Sequence, residues 1–112
     1  MHEYSVVRAL ADRVEAEARA RQAVAVHRLT VAVGSLSGVE PELLATAFTL
    51  CREGLLKNAR LDVRRVEASW CCPACGRAVE AGGVLRCGAC EEPARLSAGD
   101  EILLERIEME VP

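Results

Sequence analysis

Cys72-Pro73-Ala74-Cys75 and, after eleven intervening residues, Cys87-Gly88-Ala89-Cys90 form the stretch that decides how this chain folds. Four thiolates at this spacing suit a tetrahedral ion. A two-residue gap lets one tight turn aim two sulfurs at a point about 2.3 Å away, and a second turn closes the shell. Gly76, just after the first pair, and Gly88, inside the second, stand where φ > 0 and close backbone approach come without a Cβ penalty. Two disulfides would need an oxidising destination, and the start Met1-His2-Glu3 carries no apolar secretory run. A thioredoxin-type redox centre uses one C-x-x-C pair, not two facing each other. A rubredoxin-like iron site uses the same four sulfurs, but Tyr4, Phe48 and Trp70 are the chain's only aromatic residues, too few for a dry shell around a redox metal. Structural zinc on Cys72, Cys75, Cys87 and Cys90 fits all of these features. Cys71, next to Cys72, leaves a Cys71-x3-Cys75 register open, though the two-residue gap matches the second pair.

Working outward, the 112 residues suffice for one compact domain with a small appended lobe. A lobe of about twenty residues cannot bury a core of its own, so zinc would supply its folding energy, roughly 10 to 16 kcal/mol by analogy with zinc-finger peptides. On the amino-terminal side, Ser5 to Gln22 contains no glycine or proline and spaces Val7, Leu10, Ala11, Val14 and Ala18 along one helical stripe. Val26 to Leu36 alternates as a half-buried strand, with His27, Leu29, Val31 and Val33 on the apolar side, where His27 is expected as a satisfied core histidine. Pro41 suits the first position of a second helix, whose stripe of Leu44, Ala47, Phe48, Cys51 and Leu55 runs to about Lys57 and makes Cys51 a buried structural thiol. Leu61 to Ala68 predicts a strand entering the cysteine lobe. After Gly99-Asp100, a last strand alternates through Ile107, Met109 and Val111, while Ile102-Leu103-Leu104 breaks the alternation in the manner of a bulge or of burial on both sides.

The predicted architecture is α+β: two helices packed on one face of a three-stranded sheet, with a zinc-binding lobe inserted before the last strand. A discontinuous domain of residues 1–69 plus 98–112 would surround a lobe of residues 70–97. The other sheet face, bearing Arg28, Thr30, Arg64, Arg106 and Glu108, is left to water.

Composition narrows the function. A formal net charge of −3 gives no electrostatic case for a nucleic-acid partner, and Arg77, Arg86 and Arg95 in the lobe are offset by Glu80, Glu91 and Glu92. No run reaches the eighteen or so apolar residues of a membrane span, so a soluble, cytoplasmic protein is expected. No serine, cysteine or carboxylate is accompanied by a plausible base at recognisable spacing, so an enzyme is not expected. At the amino terminus, the Met1 amine, the His2 amide nitrogen and the His2 imidazole can chelate one ion through adjacent five- and six-membered rings. Such planar nitrogen donors suit Ni(II) or Cu(II) better than tetrahedral zinc, and Glu3 could add its amide or carboxylate.

Met1-His2-Glu3, Gly34 after a valine-rich strand, Leu44 and Ala47-Phe48 in the next helix, the two C-x-x-C pairs, Gly99-Asp100-Glu101 and Ile107-Glu108 together resemble the HypA/HybF family. These are nickel metallochaperones for nickel-iron hydrogenase maturation, in some bacteria also for urease. The resemblance spans essentially the whole chain. It implies nickel on His2 with the Met1 amine or backbone nitrogens, Glu3 being secondary, and structural zinc on Cys72, Cys75, Cys87 and Cys90. It also implies partnership with the accessory GTPase HypB and the hydrogenase large-subunit precursor, while a homodimer stays open. Some members carry a histidine after the second cysteine pair that can approach nickel, but His2 and His27 are the only histidines here. Glu3, Glu40 or water would then complete the nickel site. The competing reading, from another class, is a zinc-ribbon module for protein or nucleic-acid interaction whose amino terminus carries no chemistry.

Overall fold

The computed structural model describes residues 2–80 and 82–112, apart from the His2 side chain. Helix α1 (His2–Ala20) leads into strand β1 (Ala25–Gly34), helix α2 (Pro41–Cys51), a single 3-10 turn (Gly54–Leu56) and strand β2 (Arg60–Val66). Strands β3 (Ser69–Cys71), β4 (Ala78–Val79) and β5 (Arg95–Ala98) follow, and β6 (Ile102–Glu110) comes last. They make two sheets, ordered β2-β1-β6 and β4-β3-β5. The expected α+β arrangement is present, with a refinement: the cysteine lobe has a small sheet of its own.

β1 is the organising strand, parallel to β2 and antiparallel to β6. Parallel neighbours need a crossover that returns the chain to the starting end, and α2 supplies it. Leu29, Val31 and Val33 of β1 are fully buried beneath Val7, Val14 and Ala18 of α1 and Leu44 and Phe48 of α2. Each such aliphatic side chain contributes about 1.5 to 3 kcal/mol through burial, which holds the helix layer on the sheet.

Several boundaries differ from the sequence-based expectation, each for a local reason. α1 starts at His2, before Ser5, and stops at Ala20 because Gln22 turns left-handed, with φ 59°. The Ala23 N–H then reaches the Ala18 carbonyl at 2.8 Å and the Gln22 N–H reaches that of Arg19 at 3.0 Å, the paired closure that ends many helices. Glutamine, where glycine is usual, hides this stop. α2 ends at Cys51, short of Lys57, ahead of Gly54 with φ 59°. With the helix stopped, Leu56 of the 3-10 turn fills the core and Cys51 is exposed, correcting its expected burial. Cys51 lies instead beside Tyr4, whose phenol it holds above its ordinary pKa by hydrogen bonding.

His27 is also corrected. The β1–β6 register slips between Val26 and Arg28, so His27 is the extra residue of a bulge and is turned out of the core. Val26 and Leu29 are both buried, and the His27 Nε2 meets Glu110 Oε1 at 3.0 Å on the surface. A second slip between Thr30 and Val31 leaves Glu105 unmatched in β6. Ile102 and Leu104 on one side of that bulge and Ile107 and Met109 on the other all pack on the core, which explains the broken alternation. The uncovered sheet face carries exposed ion pairs, Arg28 with Asp62 at 2.8 Å and Arg64 with Glu105 at 2.7 Å. The Arg64 guanidinium, hydrogen-bonded to Glu105, holds that carboxyl below the usual carboxylate range.

Backbone hydrogen bonds around Ser35 tie the lobe to the body. Ser35 N–H donates to the Val66 carbonyl at 2.8 Å, and the Ser35 Oγ accepts from Ala68 N–H at 3.0 Å. Leu36 N–H donates to the Gly99 carbonyl at 2.7 Å, and Gly34 N–H to the Glu101 carbonyl at 2.9 Å. Gly34-Ser35-Leu36 therefore clips together the segment entering the lobe and the segment leaving it.

Candidate metal centre

β3 carries the chain to Cys72, β4 turns it back, and β5 returns it beside β3 to the body. Cys72, Cys75, Cys87 and Cys90 converge, with their sulfurs all within 4.8 Å of one another. The Cys75 and Cys87 sulfurs are 3.8 Å apart. Bonds of about 2.3 Å in a tetrahedron require sulfur-sulfur edges of about 3.8 Å, so the donor set matches zinc in chemistry and in size.

The two cysteine turns are built alike. Gly76 N–H donates to the Cys72 carbonyl and Cys72 N–H to the Arg77 carbonyl, both at 2.8 Å. Fifteen residues later Glu91 N–H donates to the Cys87 carbonyl and Cys87 N–H to the Glu92 carbonyl, both at 2.9 Å. In each turn the first cysteine is buried and the second exposed. Each also needs a left-handed residue four places after its first cysteine: Gly76 with φ 74°, and Glu91 with φ 56°. The sequence reading placed this conformational demand on Gly76 and Gly88. Gly76 meets it, but Gly88 is not among the positive-φ residues and a Cβ there would touch nothing, so the second turn relies on Glu91. Aligning the two C-x-x-C turns residue by residue would have pointed to Glu91.

Electrostatics favour a cation among these sulfurs. Backbone N–H groups of Cys90 and Ala89 draw the Cys87 thiol down to about 7, whereas hydrogen bonds with Cys75 and Cys72 push Cys90 up to about 12. Neighbouring sulfurs cannot all ionise without a positive charge between them, and a divalent cation supplies that charge.

The Met1 amine and the His2 imidazole lie outside the described residues. Glu3 is described: its Oε2 accepts from the backbone N–H of Glu40 at 3.3 Å, just ahead of α2. The two carboxylate residues singled out as accessory nickel donors are thus neighbours, with the Glu3 carboxylate already engaged. Among the described residues, the four-cysteine cluster is the one grouping of three or more metal-binding side chains close enough to share an ion.

Comparison with known proteins agrees with this geometry. The family model for "Hydrogenase/urease nickel incorporation, metallochaperone, hypA" matches residues 1–109. The chain belongs to the HypA family. Among HypA relatives, the hydrogenase maturation factor HypA of Deinococcus radiodurans is 43% identical over 107 residues, covering 93% of this chain and 89% of its own length. That of Shewanella oneidensis is 39% identical over 113 residues, covering 98% and 96%. A solution structure of a HypA protein superposes with a TM-score of 0.81 at 29% identity, over 97% of this chain and 96% of the other. The Ni metallochaperone HypA of Helicobacter pylori gives 0.73 at 27% identity, over 98% of both chains. No helix among the described residues is long and apolar enough to cross a membrane.

Proposed function

We propose that this protein is a nickel metallochaperone that binds Ni(II) at its amino terminus and passes it on for hydrogenase maturation, with urease a second client where one is present. The family match across residues 1–109, which includes Met1-His2-Glu3, carries the proposal. His2 is the principal ligand, joined by the Met1 amine or neighbouring backbone nitrogens, with Glu3 secondary. α1 begins at His2, and the first four N–H groups of any helix lack an intrahelical acceptor, so backbone nitrogens there can be recruited without breaking the helical ladder. For Glu3 to join, its carboxylate would exchange the Glu40 N–H for the metal.

Cys72, Cys75, Cys87 and Cys90 hold structural zinc, which when bound cross-links the two turns and gives the lobe its fold. Residues 70–97 then form a lobe distinct from a nickel-binding body of residues 1–69 and 98–112. The accessory GTPase HypB and the hydrogenase large-subunit precursor are the proposed partners, in the cytoplasm, and the protein acts as carrier, not catalyst. A zinc-ribbon interaction module would explain the lobe but not the family match across the whole body. Nickel titration of zinc-loaded protein, with co-purification of the hydrogenase precursor, tests the function. One nickel site and a captured precursor are expected. Absence of both would overturn the proposal.

A further inference from the structure

β2 lies at one margin of the body's sheet, with β1 on one side and no strand on the other among the described residues. In such a strand, alternate backbone N–H and C=O groups point outward, where a further strand can meet them. Beside that edge α2 stands back far enough to leave a hollow of about 500 Å³, lined by Pro41, Glu42, Ala45, Leu61, Asp62 and Val63. Ala45 keeps the helical wall low, and Leu61 and Val63, half-buried against the core, form the sheet wall.

The side chains of β2 decide what can fit. Leu61 and Val63 turn toward the helix layer, whereas Arg60, Asp62 and Arg64 stand on the wet face. Both arginines keep most of their side-chain surface in water, 68% for Arg60 and 58% for Arg64. Arg60 meets Asp62 through Nε at 3.2 Å, and Arg64 meets Glu105 through Nε and Nη2. A guanidinium carries further N–H groups in the same planar fork, so each can also serve a second carboxylate. Asp62 already has two cations, Arg28 at 2.8 Å as well as Arg60. The β2 edge of a second copy would set its own arginines opposite Arg60 and Arg64, and like charges facing across a strand pair are unfavourable. A strand with carboxylates at those two places meets opposite charges instead. Alternation then fixes the residues between them: apolar side chains opposite Leu61 and Val63, entering the hollow over Ala45, and a small uncharged residue opposite Asp62.

We infer that the outer edge of β2 is a docking site for an extended acidic segment of a partner protein, which joins the sheet as a fourth strand. The segment reads acidic, apolar, small polar, apolar, acidic in consecutive residues, an order that is the same from either end and so suits either strand direction. Main-chain hydrogen bonds supply affinity, and the alternate side chains supply selectivity. The site uses neither the amino terminus nor the cysteine lobe, so it stands or falls apart from the nickel reading.

The probe is the capped peptide Ser-Glu-Val-Thr-Val-Glu-Ser, titrated into the isotope-labelled, zinc-loaded full chain and followed by NMR. Backbone amide shifts should concentrate in residues 60–66 and 41–45, and a peptide with lysine in place of both glutamates should cause none. Arg60→Gln combined with Arg64→Gln removes two cross-strand charge pairs and should weaken binding about tenfold. Ala45→Phe, which fills the hollow, should weaken it too, with circular dichroism confirming that each variant is folded. Two further peptides, N-methylated at both valines or at the threonine, separate strand addition from adhesion by charge: at least one should fail to bind, because alternate amides face β2. No binding, shifts centred elsewhere, equal binding of the lysine peptide, or indifference to both methylated peptides overturns the proposal. Sedimentation showing that the unaltered chain self-associates and the double arginine variant does not would make a second copy the occupant, and would overturn it as well.

Discussion

Gly34 and Gly99 meet backbone to backbone: a methyl group on Gly34 would lie 2.2 Å from the Gly99 carbonyl oxygen. Gly99, at φ 106°, would in turn press its own Cβ to 2.5 Å from the Ala68 α-carbon. The clip that joins lobe and body thus closes only because neither residue has a side chain. Gly34→Ala and Gly99→Ala should each cost at least about 2 kcal/mol, since the obstructing atoms are main chain and cannot rotate away. At this size that is a fall in Tm of roughly 10 °C, measurable by thermal denaturation. Gly38→Ala, where a Cβ meets nothing, should lose less, through its φ of 83° alone.

Metal content separates the cysteines. Alanine at Cys72, Cys75, Cys87 or Cys90 should abolish stoichiometric zinc and disorder residues 70–95, while Cys51→Ala should retain it. Cys71→Ala distinguishes the two registers. Zinc analysis of all six variants, with amide exchange across the lobe, reads the outcome, and zinc lost from Cys71→Ala but kept by Cys72→Ala would reverse the ligand assignment.

The two cysteine turns should answer oppositely to glycine. Glu91→Gly relieves a left-handed non-glycine residue and should stabilise the zinc-loaded lobe by up to about 1 kcal/mol, whereas Gly76→Ala should destabilise it by about as much. Resistance of bound zinc to a chelator is a direct readout. Matching responses in the two variants would refute the equivalence of the turns.

Nickel binding should depend on pH in a way zinc binding does not. An amine with a reference pKa of about 7.7 to 8.0 and an imidazole near 6.5 must lose their protons before binding a cation, so nickel affinity should fall from pH 8 to 6. Zinc on four thiolates should persist over that range. His2→Ala should abolish the nickel site and hydrogenase maturation with Tm nearly unchanged. A Gly-Ser extension before Met1 should weaken nickel binding by about tenfold or more, or about 1.4 kcal/mol. Calorimetry on tagged and scarless protein compares them, and equal affinities would remove the Met1 amine from the ligand set.

The sheet, its two helices and the inserted lobe were legible because Val7, Leu10, Val14 and Ala18 keep a helical period and Leu29, Val31 and Val33 keep a strand period. His27 and Cys51 were misread for one reason: periodicity extrapolates past a break it does not contain. A bulge inserts one residue without any marker in composition, and a helix can stop one turn before its apolar stripe does. The cysteine tetrad was legible because ligand spacing is itself the geometry. The lobe's sheet was not, since β3, β4 and β5 are too short to show alternation, and Glu91 was missed because its demand lies in the backbone, not the side chain.

The pairing of β1 with β6 also governs the order in which the molecule can be completed. Residues 67 to 101 must leave the ribosome before β6 can reach β1, so the central strand waits for its second neighbour until the whole lobe has been made. An ion joining Cys72 to Cys90 removes about half of that intervening length from the search. Halving a flexible loop lowers its closure cost by only about 0.6 kcal/mol. A newborn chain in a zinc-starved cell would therefore still close its sheet almost as readily, around a lobe that has not yet formed.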